Sequence, residues 1–142
     1  RSCCDLGAHR RGMKSVQWEQ LTEACLRFLI ERARLGRPTT YTELNTVLTR
    51  RTGLRGFDFE HADERAAMGR LLGLVVERNL PDTGLMISAL VQYIDANDAG
   101  SGFYKLAEQI GLLERGASPQ ARMDFWIKQI VGLQKRYSPA QS

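Results

Sequence analysis

The chain has 142 residues, 43% of them apolar and 25% charged, which is the composition of an ordinary globular domain rather than a disordered or fibrous one. That length supports one full hydrophobic core and not two complete domains. No apolar run reaches the roughly 18 residues that cross a bilayer. The longest, Leu85 to Ile94, is broken by Ser88 and Gln92. No positively headed apolar segment with a small-residue cleavage site opens the chain, so neither membrane insertion nor secretion is expected.

Twenty basic residues stand against 16 acidic ones, a net charge of +4, and sixteen of the twenty are arginine. The planar guanidinium fork suits phosphates and guanine edges. The same bias follows equally from a GC-rich genome. Cys3, Cys4 and Cys25 are odd in number and form no spaced framework, which fits reduced thiols and a cytoplasmic location. Only His9 and His61 could complete a zinc set, and they lie far apart, so no metal is expected.

Residues 1–14 lack periodicity and read as a solvated basic tail, with Arg1, Arg10, Arg11 and Lys14 available to touch phosphates. From Ser15, a possible cap, Trp18, Leu21, Cys25, Phe28 and Leu29 recur at helical steps, and Gly36 with Pro38 stops this helix near Leu35. Thr40 followed by Glu43 is the pattern of a capping box, opening a second helix over 41–51 that buries Leu44, Val47 and Leu48. A loop covers Thr52 to Glu60. A third helix follows over 61–79, with Met68, Leu71, Leu72 and Val75 on one face, and Pro81-Asp-Thr-Gly84 reads as a turn. The alternation of Leu85, Ile87, Ala89, Val91 and Tyr93 predicts one strand over 85–94. A polar loop, Asp95 to Gly102, leads to a helix over 103–111. The last helix, over 118–137, starts at Ser118-Pro119 and carries a stripe of Met123, Trp126, Ile127, Ile130, Leu133 and Tyr137.

In this order the elements describe a mainly α fold: a winged-helix-like three-helix core with one main strand over 15–115, and a C-terminal helical extension over 116–142. The third helix would lie in the major groove and Asp95 to Gly102 would form the wing.

The stretch Gly36-Arg-Pro-Thr-Thr-Tyr-Thr-Glu-Leu44 resembles the Gly-x-Val-Thr-Thr-Tyr-Gly-x-Leu-Ala turn of the alkylguanine-DNA alkyltransferases and their non-catalytic relatives. The likeness runs on through Ala67-Met-Gly-Arg-Leu-Leu72, similar to the family's recognition helix, then Asn79-Leu-Pro81 and Gly100-Ser-Gly-Phe103. The chain is also similar to small bacterial and phage-associated proteins that share the Thr-Tyr-x-Glu-Leu helix and the Gly-x-Gly-Phe turn. The resemblance implies a winged-helix fold. It does not carry the chemistry, because Ile87-Ser-Ala-Leu-Val91 stands where the family has Pro-Cys-His-Arg. Alkyl transfer needs a low-pKa thiolate beside a base. The family's intercalating arginine falls on Ala66, with Arg65 one place early.

No other catalytic constellation emerges. His61 with Asp58, Glu60, Asp63 and Glu64 suits a general base, but acidic residues also favour the positive end of a helix starting there. Ser88 and Ser101 have no histidine in any hydrolase motif. Asp95 to Gly100 lacks the ligand alternation of a calcium loop. The expected protein is therefore no enzyme and carries no cofactor. It binds nucleic acid, double-stranded DNA above all, through Arg50, Arg51, Arg55, Arg65, Arg70, Ser101 and Lys105. The four carboxylates between Asp58 and Glu64 oppose that reading, since they sit where a recognition helix meets phosphates. The alternative is a protein-interaction module or dimerising adaptor that docks a partner or a second copy through Met123, Phe125, Trp126 and Ile130.

Overall fold

The computed structural model describes residues 14–93 and 101–138. Five α-helices, α1 (Ser15–Leu35), α2 (Tyr41–Thr52), α3 (Ala62–Thr83), α4 (Ser101–Gln109) and α5 (Pro119–Tyr137), account for most of it. Two strands, β1 (Thr39–Thr40) and β2 (Val91–Gln92), pair in parallel, Thr39 opposite Val91 and Thr40 opposite Gln92. The mainly helical expectation holds. Residues 1–13 of the predicted tail, with Cys3, Cys4 and His9, and residues 95–100 of the predicted wing lie outside the described residues; Ser101 and Gly102, expected to end the wing, instead open α4, two residues before the predicted helix start.

Local chemistry sets most boundaries. The chain caps α1 from Lys14, not Ser15: the Lys14 N–H donates to Gln17 Oε1 at 2.8 Å, and lysine has no acceptor to return the bond. Gly36, at φ 69°, closes the helix by donating to Ala33, while Arg37 reaches back to Arg32. Thr40 Oγ1 caps α2 by accepting from the Glu43 N–H at 3.1 Å. Only that half of the predicted capping box forms. The Glu43 carboxylate instead accepts from Thr39 Oγ1 at 2.6 Å and from Arg32 at 2.7 Å, tying α1 to the start of α2.

α3 runs four residues past its predicted end, through Pro81 to the Gly84 cap. Proline there loses one N–H bond, and the carbonyl four residues back belongs to the exposed Glu77 on the outer face. Thr83 then accepts from the Leu85 N–H at 3.1 Å and turns the chain inward.

The larger correction concerns the predicted strand over 85–94. Ile87–Leu90 is a 3₁₀ turn, and only Val91–Gln92 is β. Alternation signals a strand with one wet face, yet every residue from Met86 to Val91 is buried. No full ladder meets its backbone. Side chains do so instead: Gln129 Oε1 accepts from the Met86 N–H at 2.7 Å, and Asn79 Oδ1 from the Ile87 N–H at 3.0 Å. The Trp126 indole donates to the Ala89 carbonyl at 2.8 Å.

This segment runs through the core between α1, α3 and α5. It shares one hydrophobic core with Leu21, Leu29, Leu44, Leu48, Leu71 and Leu133. The helix expected as an extension therefore shares the one core.

Asn79→Ala leaves the Ile87 N–H buried without a partner, which costs about 1–3 kcal/mol. Urea unfolding is expected to show that loss. Gln129→Ala, which leaves the buried Met86 N–H without its acceptor, should show a loss of similar size.

Candidate functional site

The candidate site is a groove of about 980 Å³ lying against α3 and α4. Its construction starts in the loop between α2 and α3. Asn45, on α2, clamps Phe57 by donating to its carbonyl and accepting from its N–H, both at 2.8 Å. Gly56 makes this approach possible, since a Cβ there would lie 2.9 Å from Thr49 Oγ1. With Phe57 buried, Phe59 stacks parallel to it at 6.5 Å and meets Tyr41 edge-on, also at 6.5 Å. Tyr93, just past β2, packs on Tyr41 at 5.1 Å. The β1–β2 pairing thus brings together two tyrosines that are 52 positions apart (93 − 41).

Burial pushes the Tyr41 hydroxyl up to about 12, and neighbouring Tyr93 adds to the shift. Phe103 and Leu106 of α4 form the facing wall. Along α3 the groove is lined by small Ala66, Gly69 and Gly73, by Met68 and Leu72, and by Arg65; α4 adds Lys105. Ser88, only 5% exposed, also lines the groove, and its hydroxyl has no hydrogen-bond partner among the described residues.

The predicted nucleic-acid contacts do not gather on one surface. Arg51 makes a bidentate pair with Glu31, at 2.8 and 3.1 Å, and lies over the Phe28 ring. That hydrogen-bonded guanidinium holds the Glu31 carboxyl below the usual carboxylate range. Arg55 approaches Glu64 at 3.6 Å. Arg70 lies over Trp18, on the α1 side of α3. Arg65 donates to the Phe59 carbonyl at 2.7 Å at the groove edge. Arg65 and Arg70 thus part to different sides of α3, as positions five apart on a helix must. Among the described residues, neither joins an ion pair with Asp63, Glu64 or Glu77. Lys105 lines the groove and Arg50 is exposed at the end of α2; neither joins an ion pair among the described residues. Ser101 begins α4.

The acidic cluster is less outward-facing than the sequence suggests. Glu64 is 7% exposed and accepts from the Asp58 N–H at 2.9 Å. Asp58 in turn accepts from the Glu60 N–H at 3.1 Å and pairs with His61 at 3.3 Å. Two of the four carboxylates therefore organise the start of α3. Asp58, Glu60 and Asp63 stay exposed, and only Glu64 is buried.

The predicted docking stripe is also rearranged. Trp126 is a core residue, 5% exposed, because its indole N–H is needed at Ala89. Phe125 packs on Phe103 at 5.8 Å, and Met123 and Ile130 are partly buried against the core. The exposed apolar pair on α5 is Ile127 and Val131.

Sequence reasoning missed the groove itself. Its one local signal is the Ala66, Gly69, Gly73 spacing, which places three small residues along one side of α3. Among the described residues no group of three or more His, Cys, Asp or Glu is placed to hold a metal, and no helix is long and apolar enough to cross a membrane. No family model, curated protein or solved structure matches this chain.

Because the Tyr41 hydroxyl titrates near 12 when folded and near 10 in the unfolded chain, it stabilises the fold below pH 10. That contribution falls away as pH rises from 10 towards 12. Buried Cys25, raised from 9.0 to about 12, adds a decline beginning near pH 9 that is unaffected by changes at Tyr41. Unfolding free energies measured along this range should decline less steeply for Tyr41→Phe than for the unaltered protein.

Proposed function

We propose that this chain is a non-catalytic nucleic-acid-binding domain of winged-helix type, related in architecture to the alkyltransferase-like fold. The chain order supports the fold reading: β1 leads into the α2–α3 pair, and β2 returns beside β1. The observation that carries the function is the charge along the groove. Among the described residues, Arg65 and Lys105 line it and no carboxylate does. Inward-turned Glu64 and the backbone-bonded Asp58 weaken the acidic objection to DNA at the start of α3. A non-catalytic role suits Ser88 and His61. Ser88 has no base bonded to it, and His61 is engaged with Asp58.

The second reading, a protein-interaction module, draws on Ile127 and Val131. They stand one helical turn apart, 47% and 54% exposed.

Duplex binding followed across a salt series separates the two. Phosphate neutralisation requires affinity to fall steeply with added salt. Arg65→Glu and Lys105→Glu should each weaken binding and lower the salt slope by about one, with little change in melting temperature. Absence of duplex binding at low salt, or indifference to both reversals, removes the nucleic-acid reading and leaves the α5 surface as the better candidate.

A further inference from the structure

We propose that the groove between α3 and α4 binds a small free molecule: a planar aromatic ring carrying one carboxylate or phosphate. This site stands on its own geometry, whether or not the protein binds DNA.

Four features converge on that chemistry. The rings of Tyr41 and Tyr93, 5.1 Å apart and tilted by 37°, form one wall, with Phe103 on the α4 side. Aromatic walls favour a flat π-system in offset or edge-on contact. Along α3, beside Met68 and Leu72, Gly69 and Gly73 present helix backbone without a side chain to the groove. A Cβ at either would meet nothing within 4 Å, so neither glycine is required by close packing. Each weakens the helix relative to alanine. What they supply is open space for a ring.

The third feature is Ser88, buried beside the groove with an unpartnered hydroxyl. A buried polar group without a bond is unfavourable, and a heteroatom on the ligand would relieve it. The fourth is charge. Among the described residues, two cations and no carboxylate line the groove, and Lys105 joins no ion pair there. Its volume of about 980 Å³ falls within the usual range for small-molecule sites.

The same ring-plus-anion chemistry occurs in free aromatic acids and mononucleotides and in an unstacked nucleotide of a strand. Two cations match one anionic group. A free ligand's single anion needs only these two cations, whereas a strand's further phosphates would have to meet cations outside the groove.

Calorimetric titration of the full chain tests this with four probes: naphthalene-2-carboxylate, its neutral carboxamide, guanosine monophosphate and a single-stranded 12-mer. Saturable one-site binding is expected for the carboxylate or the mononucleotide, with the carboxamide at least about tenfold weaker than the carboxylate. Gly69→Leu fills that space and should weaken the anionic ligands at least about tenfold, while the melting temperature holds or rises, because leucine is the better helix former. Gly73→Leu provides the same block if that variant folds poorly. Lys105→Gln should weaken the carboxylate and leave the carboxamide nearly unchanged. The proposal fails if neither free anion binds, if the carboxamide binds as well as the carboxylate, or if filling that space has no effect. It also fails if the 12-mer alone binds, since the groove would then belong to a strand.

Discussion

The structure depends on one buried stretch of backbone, Met86 to Val91, and on the side-chain amides that satisfy it. Six consecutive buried residues would leave a row of unpaired N–H and C=O groups in apolar surroundings, each expensive to desolvate. Here Asn79 of α3, Gln129 of α5 and the Trp126 indole take the place of a neighbouring strand. The Asn79 amide also donates to the Tyr137 hydroxyl at 3.2 Å, so the two helices are bonded to each other as well as to the segment. That arrangement sets how α3 and α5 sit around the core. It also carries Ser88 to the groove and delivers Val91 and Gln92 to their pairing with β1.

Charge is distributed by a second constraint. Several of the arginines that suggest a polyanion partner bind within the molecule. Arg27, Arg51 and Arg78 pair on the outside with Glu23, Glu31 and Glu19, and Arg32 and Arg122 reach Glu43 and Glu108. Exposed pairs of this kind add little to stability, on the order of 0–1 kcal/mol each. Their larger consequence is to remove charge from the surface that a partner would meet. A net charge of +4 therefore says less about binding than the placement of two cations, Arg65 and Lys105, beside a groove that no carboxylate among the described residues lines.

The groove is an outcome of loop anchoring as much as of helix packing. Asn45 holds Phe57, Phe57 supports Phe59, and Phe59 meets Tyr41, so an aromatic wall is built outward from one amide on α2. The acidic residues beside that loop take part in the same anchoring. Glu64 and Asp58 bond backbone N–H groups at the start of α3, which is the role acidic residues favour at the positive end of a helix.

How much of this was legible follows from the range of each interaction. Five helices are readable from periodicity and capping, because a helix's hydrogen bonds close within four residues and its apolar stripe repeats locally. Thr40, Gly36 and Ser118 act at their ends as their types suggest. The strand over 85–94 misleads because period-two alternation does not distinguish a half-exposed strand from a fully buried turn. The difference lies in Asn79, eight residues before Ile87, and in Gln129, 43 residues after Met86. The candidate site divides in the same way. Composition and spacing determine that arginines, carboxylates and an apolar last helix are present. Which arginine meets a glutamate, which carboxylate turns inward and which tryptophan becomes core are decided only in three dimensions, since each depends on a partner that folding brings from elsewhere in the chain.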